Sequence, residues 1–285
     1  MNFYIKESRL KKMIFILAGL AVQSTALASQ PANYNSTSNI AGTSSASTHP
    51  VEAKQQGSLY KDDSLFSRFK PKQATIVFQA GGFSASEGEA QNINIQDLVG
   101  DRFTVTNHYR QNILLGLGYF IHGLDKDQFS LMYGLNAFYL AHTSVQGDVV
   151  QELLFTNLSY RYSLTHYPIY LAAKALFNTP NENYTITLDV GVGPNIINSS
   201  NFSETSIDGV TLPDRAFTGR TSVAFSATAG FGLKFNNVFG HSPLEIGYRF
   251  FYLGPSYLSI ANSQIINTLK TGNNYANALV LSVSI

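Results

Sequence analysis

Residues 223–235 have the sequence VAFSATAGFGLKF, and this stretch decides the fold class. Its odd-numbered positions are apolar, with Phe at three of them, whereas Ser226, Thr228, Gly230, Gly232 and Lys234 between them are small or polar. Such period-two alternation is typical of a β-strand with one apolar face. Because the bulky face has no charged residue, we expect it to contact an apolar medium. The small and polar face then lines a narrow interior.

The same alternation recurs in seven further stretches, which are 74–81, 109–121, 129–139, 157–177, 184–193, 244–252 and 275–285. Three connections between them are short, at 122–128, 178–183 and 236–243, and four are long, at 84–107, 141–156, 198–217 and 255–274. Outer-membrane barrels combine alternating strands with short turns on one side and long loops on the other. We therefore predict an all-β fold, an eight-stranded antiparallel up-and-down transmembrane β-barrel.

The stretch at 157–177 leaves two strand counts open. Leu158, Tyr160 and Tyr162 form one apolar face, but beyond Pro168 the apolar residues continue on the other parity, from Ile169. A β-bulge within one strand would produce such a slip. A turn at 165–168 would instead divide the stretch and give nine strands. Single-chain bacterial barrels have even strand numbers, which favours the bulge.

The N-terminal residues have the pattern of an export signal. A basic start precedes the apolar run 13–22 (MIFILAGLAV), and Ala-Leu-Ala follows at 26–28. We predict a signal peptide at 1–28, removed before Ser29. Residues 29–72 are mostly polar and are expected to form a flexible periplasmic tail. No later apolar run is long enough for a spanning helix, so a membrane-inserted chain must be a barrel, here 73–285.

Composition excludes several other classes. The chain has no cysteine, only 13% charged residues and a formal net charge of +1, so we expect neither a thiolate site nor nucleic-acid binding. Tyrosines near the strand ends are typical of the membrane–water boundary. The tyrosines assigned to this girdle are Tyr109, Tyr119, Tyr139, Tyr160, Tyr184, Tyr248, Tyr252 and Tyr275. A soluble ligand-binding barrel would have its bulky residues inside and its charged residues outside, and it is the less favoured alternative.

The same parity predicts a polar cluster in the lumen. Its charged members are Arg110, Arg161, Lys174, Asp189, Lys234, Glu245 and Arg249. These groups could form a mildly anion-selective constriction, but an eight-strand interior is narrow enough for side chains to fill, which favours a plug. We predict no catalytic, cofactor or metal site, because no motif with suitable spacing occurs and isolated histidines such as His166 are expected at the surface. The protein is therefore not expected to be an enzyme.

Three segments carry a resemblance to a known family. They are Gly-Tyr-Arg-Phe-Phe-Tyr-Leu-Gly at 247–254, Gly-Phe-Gly-Leu-Lys-Phe at 230–235 and Asn-Ala-Leu-Val-Leu-Ser-Val-Ser-Ile at 277–285. The chain resembles the small outer-membrane β-barrels of Gram-negative bacteria, the opacity-type and OmpA- or OmpW-like group. The resemblance implies residence in outer-membrane lipid and recognition of the last strand by the barrel-insertion machinery. Ile285 departs from the aromatic residue that usually ends these barrels.

Together these features predict a monomeric protein of the cell outer membrane with a structural or surface-interaction role. Its four long loops would be extracellular and would bind a host or surface ligand. The alternative is a narrow channel for small or hydrophobic solutes, as in OmpW-like relatives.

Overall fold

A computed structural model describes residues 74–106, 109–239 and 242–285. The predicted signal peptide at 1–28 and the predicted tail at 29–72 lie outside the described residues. Within the described part of the chain, no helix is long and apolar enough to cross a membrane.

Twelve β-strands make up the described fold. They are β1 Ala74–Ser86, β2 Gln91–Ile93, β3 Asp101–Phe103, β4 Tyr109–Asp125, β5 Phe129–Gln151, β6 Phe155–Asn178, β7 Tyr184–Ser206, β8 Phe217–Thr218, β9 Arg220–Phe239, β10 Ser242–Tyr257, β11 Ser259–Ile260 and β12 Lys270–Ser284. Eight of them are long, and the four short ones (β2, β3, β8 and β11) lie in the connections between long strands.

The eight long strands form a closed antiparallel ring in the order β1, β4, β5, β6, β7, β9, β10 and β12. The first and last strands close it, with Gly82 paired to Leu279 and Val77 to Ser284. This arrangement confirms the predicted eight-stranded barrel. Strand β6 runs without interruption through Pro168, so the nine-strand alternative is wrong.

The sequence pattern suggested a bulge in β6 near Pro168, but the bulge at this level lies in β5. Leu140 pairs with His166 but Thr143 pairs with Leu164, so β5 carries one extra residue at this level. Even-numbered residues of β5 such as Leu140 are buried before the bulge, and odd-numbered residues such as Val145 are buried after it. In β6 the even-numbered residues stay buried from Leu158 to Leu176. The predicted parity slip in β6 is therefore wrong.

The bulge also marks a reversal of polarity along the barrel. Between the short turns and the bulge, here called the lower barrel, the outward residues are apolar. Examples exposed to the surroundings are Ile76, Phe78, Ile113, Leu115, Leu117, Leu135, Leu171, Leu188, Val190, Val192, Phe231, Leu279 and Leu281. Beyond the bulge, here called the upper barrel, the apolar residues are inside instead, and the outward positions of β6 carry Ser159 and Arg161.

The upper barrel has its own hydrophobic core. Its buried members are Ile93, Phe103, Val145, Val149, Leu158, Tyr160, Tyr162, Leu164, Ile197, Ala216, Phe217, Leu258, Ile265 and Leu269. Tyr160 is thus an interior residue, and its assignment to the membrane girdle is wrong. The physical reason is the surrounding medium. Where a barrel is surrounded by water, its polar residues face outward, so the apolar residues of the same alternating pattern face inward.

The predicted loop at 141–156 is also wrong. Strands β5 and β6 continue through it as a hairpin, and only residues 152–154 form the turn. The first and fourth long connections are joined to each other by backbone hydrogen bonds, from Gln96 N to Gln264 O at 2.8 Å and from Ile266 N to Asn94 O at 2.9 Å. Ile95 and Ile265 form an isolated bridge between them. The long connections therefore close the upper end over the apolar core.

Candidate functional site

Two buried ion pairs cross the lumen of the lower barrel. Arg249 Nη1 lies 2.6 Å from Asp189 Oδ1, and Lys174 Nζ lies 2.5 Å from Glu245 Oε2. All four side chains are less than a tenth exposed. Buried charges require pairing and hydrogen bonds, and Thr187 supplies one by donating its hydroxyl to Glu245 Oε1 at 2.8 Å. The charges of these four side chains are therefore neutralised by each other inside the barrel.

Two glycines of β9 make room for these pairs. A Cβ added at Gly230 would lie 3.0 Å from Asp189 Oδ2, and one at Gly232 would lie 3.1 Å from Glu245 Oε1. At Gly230 and Gly232 the Gly-Phe-Gly-Leu-Lys-Phe segment thus has no side chain on the inner face, and the carboxylates occupy the space that a side chain would need. The small residues of the sequence pattern are placed opposite the large charged ones.

Five of the seven residues predicted for the luminal cluster lie together in the lower barrel, namely Lys174, Asp189, Lys234, Glu245 and Arg249. Lys234 is part of the lining of a small cavity, about 30 Å³, that also borders Lys174 and Glu245.

Arg161 and Arg110 do not join this cluster. Arg161 is exposed on the outer face of the upper barrel. The reversal of polarity explains this error, because an arginine can face water there. Arg110 is half-buried and donates from Nε to the Ser144 carbonyl at 2.9 Å and from Nη2 to Gln146 Oε1 at 2.7 Å.

Apolar layers fill the lumen on both sides of the ion pairs. Toward the short turns the layer consists of Val77, Phe120, Met132, Ala172 and Leu176. Toward the upper barrel it includes Phe83, Leu114, Phe138, Leu140, Tyr170, Phe251, Leu253 and Val280. The Arg249 guanidinium lies over the Phe138 ring, 5.0 Å from its centroid. Side chains therefore pack across the interior at several levels.

A buried polar network lies where the lower and upper barrel meet. Glu87, the first residue after β1, contacts His166 Nε2 at 2.8 Å through Oε1 and accepts a short hydrogen bond from the Thr143 hydroxyl through Oε2. Asn195 Nδ2 contacts His166 Nδ1 at 3.0 Å and donates to the Leu253 carbonyl at 2.8 Å. His166 is fully buried, so its assignment as a surface histidine is wrong. His166 has the same parity in the strand as the buried Tyr162 and Leu164, and this parity could have predicted that its side chain faces inward.

Replacing Glu87 with glutamine should destabilise the barrel measurably. The amide retains the size of the carboxylate but offers one acceptor oxygen where two donors approach, so one buried polar group loses its partner. We expect a loss of about 1–3 kcal/mol in the free energy of unfolding, measured by urea titration in lipid vesicles. Glu89→Gln is the matched control, because Glu89 is exposed, and it should change stability little. Equal effects of the two substitutions would contradict the role of the network.

A second concave site lies at the far end of the upper barrel. This cavity of about 260 Å³, here called the distal cavity, is bordered by all four connections between long strands at this end. Its lining consists of Ile93, Ile95, Leu98, Asp101, Phe103, Gln151, Glu152, Phe155, Asn157, Asp214, Ala216, Asn262, Gln264 and Ile265. Three of these residues are acidic and none is basic. This site was not predicted from the sequence, because its residues come from four separate segments.

The acidic residues near the distal cavity influence one another. Burial, together with the nearby Asp214 and Asp101, raises the pKa of the Glu204 carboxyl to about 7, although hydrogen bonds from the backbone N–H groups of Arg215 and Ala216 lower it. The pKa of Asp101 is also raised, mainly by burial.

The raised pKa of Glu204 gives the upper barrel a predictable pH dependence. The folded state holds this proton up to about pH 7, whereas the unfolded chain releases it near the ordinary value of 4.5. The bound proton therefore stabilises the folded state fully below pH 4.5, and this stabilisation is lost as the pH rises through 7. We expect the thermal midpoint to fall between pH 4.5 and 7, and Glu204→Gln to flatten this part of the profile. An unchanged slope in the variant would contradict the assignment.

The outer surface of the lower barrel defines the class of protein. A belt of exposed aliphatic and aromatic side chains surrounds strands that each pair with two neighbours around a closed ring. Tyr119, Tyr139, Tyr184 and Tyr275 are exposed on this outer face. A ring without edges and with an apolar outside is the β-structure that a bilayer accepts. The chain is a transmembrane β-barrel of the outer-membrane type.

No protein-family model matches the chain, and no curated protein matches it. Neisserial surface protein A aligns at 10% identity over 75% of this chain and 99% of its own, with a TM-score of 0.37. The outer-membrane protein OprG from Pseudomonas aeruginosa aligns at 11% identity over 74% and 96%, with a TM-score of 0.43. The attachment invasion locus protein Ail of Yersinia pestis aligns at 9% identity over 75% and 99%, with a TM-score of 0.31.

Proposed function

We propose that this protein is exported through residues 1–28, inserted into the outer membrane of a Gram-negative bacterium, and acts there as a surface-interaction protein. The upper barrel is the observation that carries the proposal. Strands β5, β6 and β7 have 23, 24 and 23 residues, more than twice the roughly 9–11 that a bilayer requires. Since long loops of such barrels are extracellular, the upper barrel presents an ordered platform outside the cell.

The packed interior supports an interaction role over the alternative channel. Paired charges and apolar layers cross the lumen at successive levels, from Val77 through Asp189 and Arg249 to Leu253. Interlocked connections close the upper end. A conducting path would require these groups to separate. The protein is therefore proposed to be a plugged barrel without transport or enzymatic activity.

Two measurements test this proposal. Planar-bilayer recordings of the refolded mature protein should show no conductance steps, and steps that change with Lys234→Gln would favour the channel instead. An epitope tag inserted between Glu152 and Leu153 should be reachable by antibody on intact cells. A tag in the turn at 179–183 should be reachable only after permeabilisation. The reverse labelling pattern, or recovery of the protein in the periplasmic fraction without detergent, would overturn the proposed location.

A further inference from the structure

The distal cavity has an excess of negative charge that the protein does not neutralise. Asp101, Glu152 and Asp214 line it. Within the described residues, the two ion pairs and the Glu87–His166 contact all lie inside the barrel, and none includes an acid of this cavity. Asp101 is only 4% exposed. A carboxylate so buried without a cation is costly, and burial raises its pKa accordingly. A bound cation would offset this cost.

Hydrogen-bond acceptors predominate among the groups that remain available in the distal cavity. Asp101 accepts from Glu152 N through Oδ1, Glu152 accepts from Val99 N through Oε2, and Asp214 accepts from Gln151 through Oδ2. Each carboxylate therefore has a second oxygen that can accept from a ligand. Asn157 Oδ1 is buried and has no donor. The carboxylates and the Asn157 oxygen therefore favour a ligand that donates several hydrogen bonds.

Two exposed apolar side chains, Leu98 and Phe155, line the cavity, and the exposed Val99 and Leu154 are their neighbours in the chain; these four residues are here called the apolar rim. Leu154 is 75% exposed and Phe155 is 62% exposed. The rim belongs to the first connection and to the tip of the β5–β6 hairpin, which the Val99–Glu152 hydrogen bond joins. Apolar residues exposed together around a polar site are typical of protein-interaction surfaces.

The size and shape of the site select the ligand. At about 260 Å³, the distal cavity is smaller than the roughly 300–1,000 Å³ of drug-sized pockets, and it suits a single side chain. A guanidinium group has five donors and no acceptor, and its planar faces pack against apolar side chains. These properties match the free acceptors and the neighbouring Leu98 and Phe155.

We propose that the distal cavity receives one arginine side chain of an extracellular protein partner, whose adjacent apolar residues pack on the apolar rim. Charge complementarity identifies the occupant: three acids face a site without a base, and the aliphatic stem of arginine passes the rim. This inference rests on the proposed surface-interaction function and names the chemistry that the upper barrel recognises.

Binding of designed peptides to the full mature protein in nanodiscs tests this inference. The probe is a labelled peptide with one central arginine between leucine and phenylalanine, compared with the same peptide containing citrulline, the neutral isostere of arginine. Empty nanodiscs correct for partition into lipid. We expect the citrulline peptide to bind at least tenfold more weakly. Equal binding of both peptides, or no binding of either at millimolar concentration, would overturn the inference.

Protein variants locate the binding. Asp101→Asn retains the acceptor for Glu152 N and should weaken arginine-peptide binding at least fivefold, as should Asp214→Asn. Asp97→Asn is the matched control, because Asp97 is in the same connection but does not line the cavity, and it should bind as the wild type does. Unchanged binding by both cavity variants would also overturn the inference. The conductance and tag measurements report on the proposed function separately, so failure of peptide binding leaves them interpretable.

Discussion

Arg249→Met is expected to cost about 3–5 kcal/mol in the free energy of unfolding, because it leaves the Asp189 carboxylate buried without a cation. The two groups are 2.6 Å apart and both are less than a tenth exposed. Methionine retains most of the length of the arginine stem, so the expected loss comes mainly from the charge. The measurement is reversible urea unfolding in lipid vesicles, followed by tyrosine fluorescence and by gel migration with and without heating.

The double variant Asp189→Leu/Arg249→Met is the control for this prediction. Replacing both members of a buried ion pair with apolar residues is often neutral or stabilising. We therefore expect the double variant to recover most of the stability lost by Arg249→Met. A small effect of the single variant, below about 1 kcal/mol, would mean that water reaches Asp189 and compensates its charge. That result would favour a hydrated lumen and thus the channel.

Leu171→Arg is expected to destabilise the barrel by about 2–4 kcal/mol in vesicles, because it places a charge in the middle of the apolar belt. Leu171 is 69% exposed, and its neighbours on β5 and β7 are the outward-facing Leu135 and Val192. The substitution leaves the interior unchanged, so a penalty must come from the surrounding medium. The same urea titration measures it.

The matched control places the same charge on the upper barrel. Thr205 is exposed on β7 and pairs with Ser159 of the upper barrel, and Thr205→Arg should change stability by less than about 0.5 kcal/mol, as substitutions on a water-exposed surface do. A similar penalty for both substitutions would mean that the bilayer also covers the upper barrel. No penalty for either would mean that the belt does not face lipid.

The sequence was sufficient for the eight strands but not for the level at which their polarity reverses. Alternation shows that two faces differ, but it does not show which of them faces outward. Leu158, Tyr160 and Tyr162 have the same pattern as lipid-facing residues, yet they form a core. One signal was available: Arg161 would have been an unpaired charge in the lumen, whereas between Ser159 and Ser163 it belongs to an ordinary water-exposed face.

The positions of the functional residues could be predicted only where a regular strand determines whether a side chain faces inward or outward. The residues of the Asp189–Arg249 and Lys174–Glu245 pairs follow from parity, because each lies within a regular strand of the lower barrel. The extension of β5 could also have been predicted, since Val145 and Val149 alternate with Gln146 and Asp148 in the supposed loop. The distal cavity could not, because the pairing of Ile95 with Ile265 leaves no local trace in the sequence.

The most direct test of the central claim, a membrane barrel whose polarity reverses along β6, uses the absence of cysteine from the chain. Single variants Leu171→Cys and Arg161→Cys are labelled with the same polarity-sensitive fluorophore and refolded into vesicles. We predict that acyl-chain quenchers in the lipid quench the label at 171, whereas only aqueous iodide quenches the label at 161. Acyl-chain quenching at both positions would contradict the reversal, and iodide quenching at both would contradict membrane insertion.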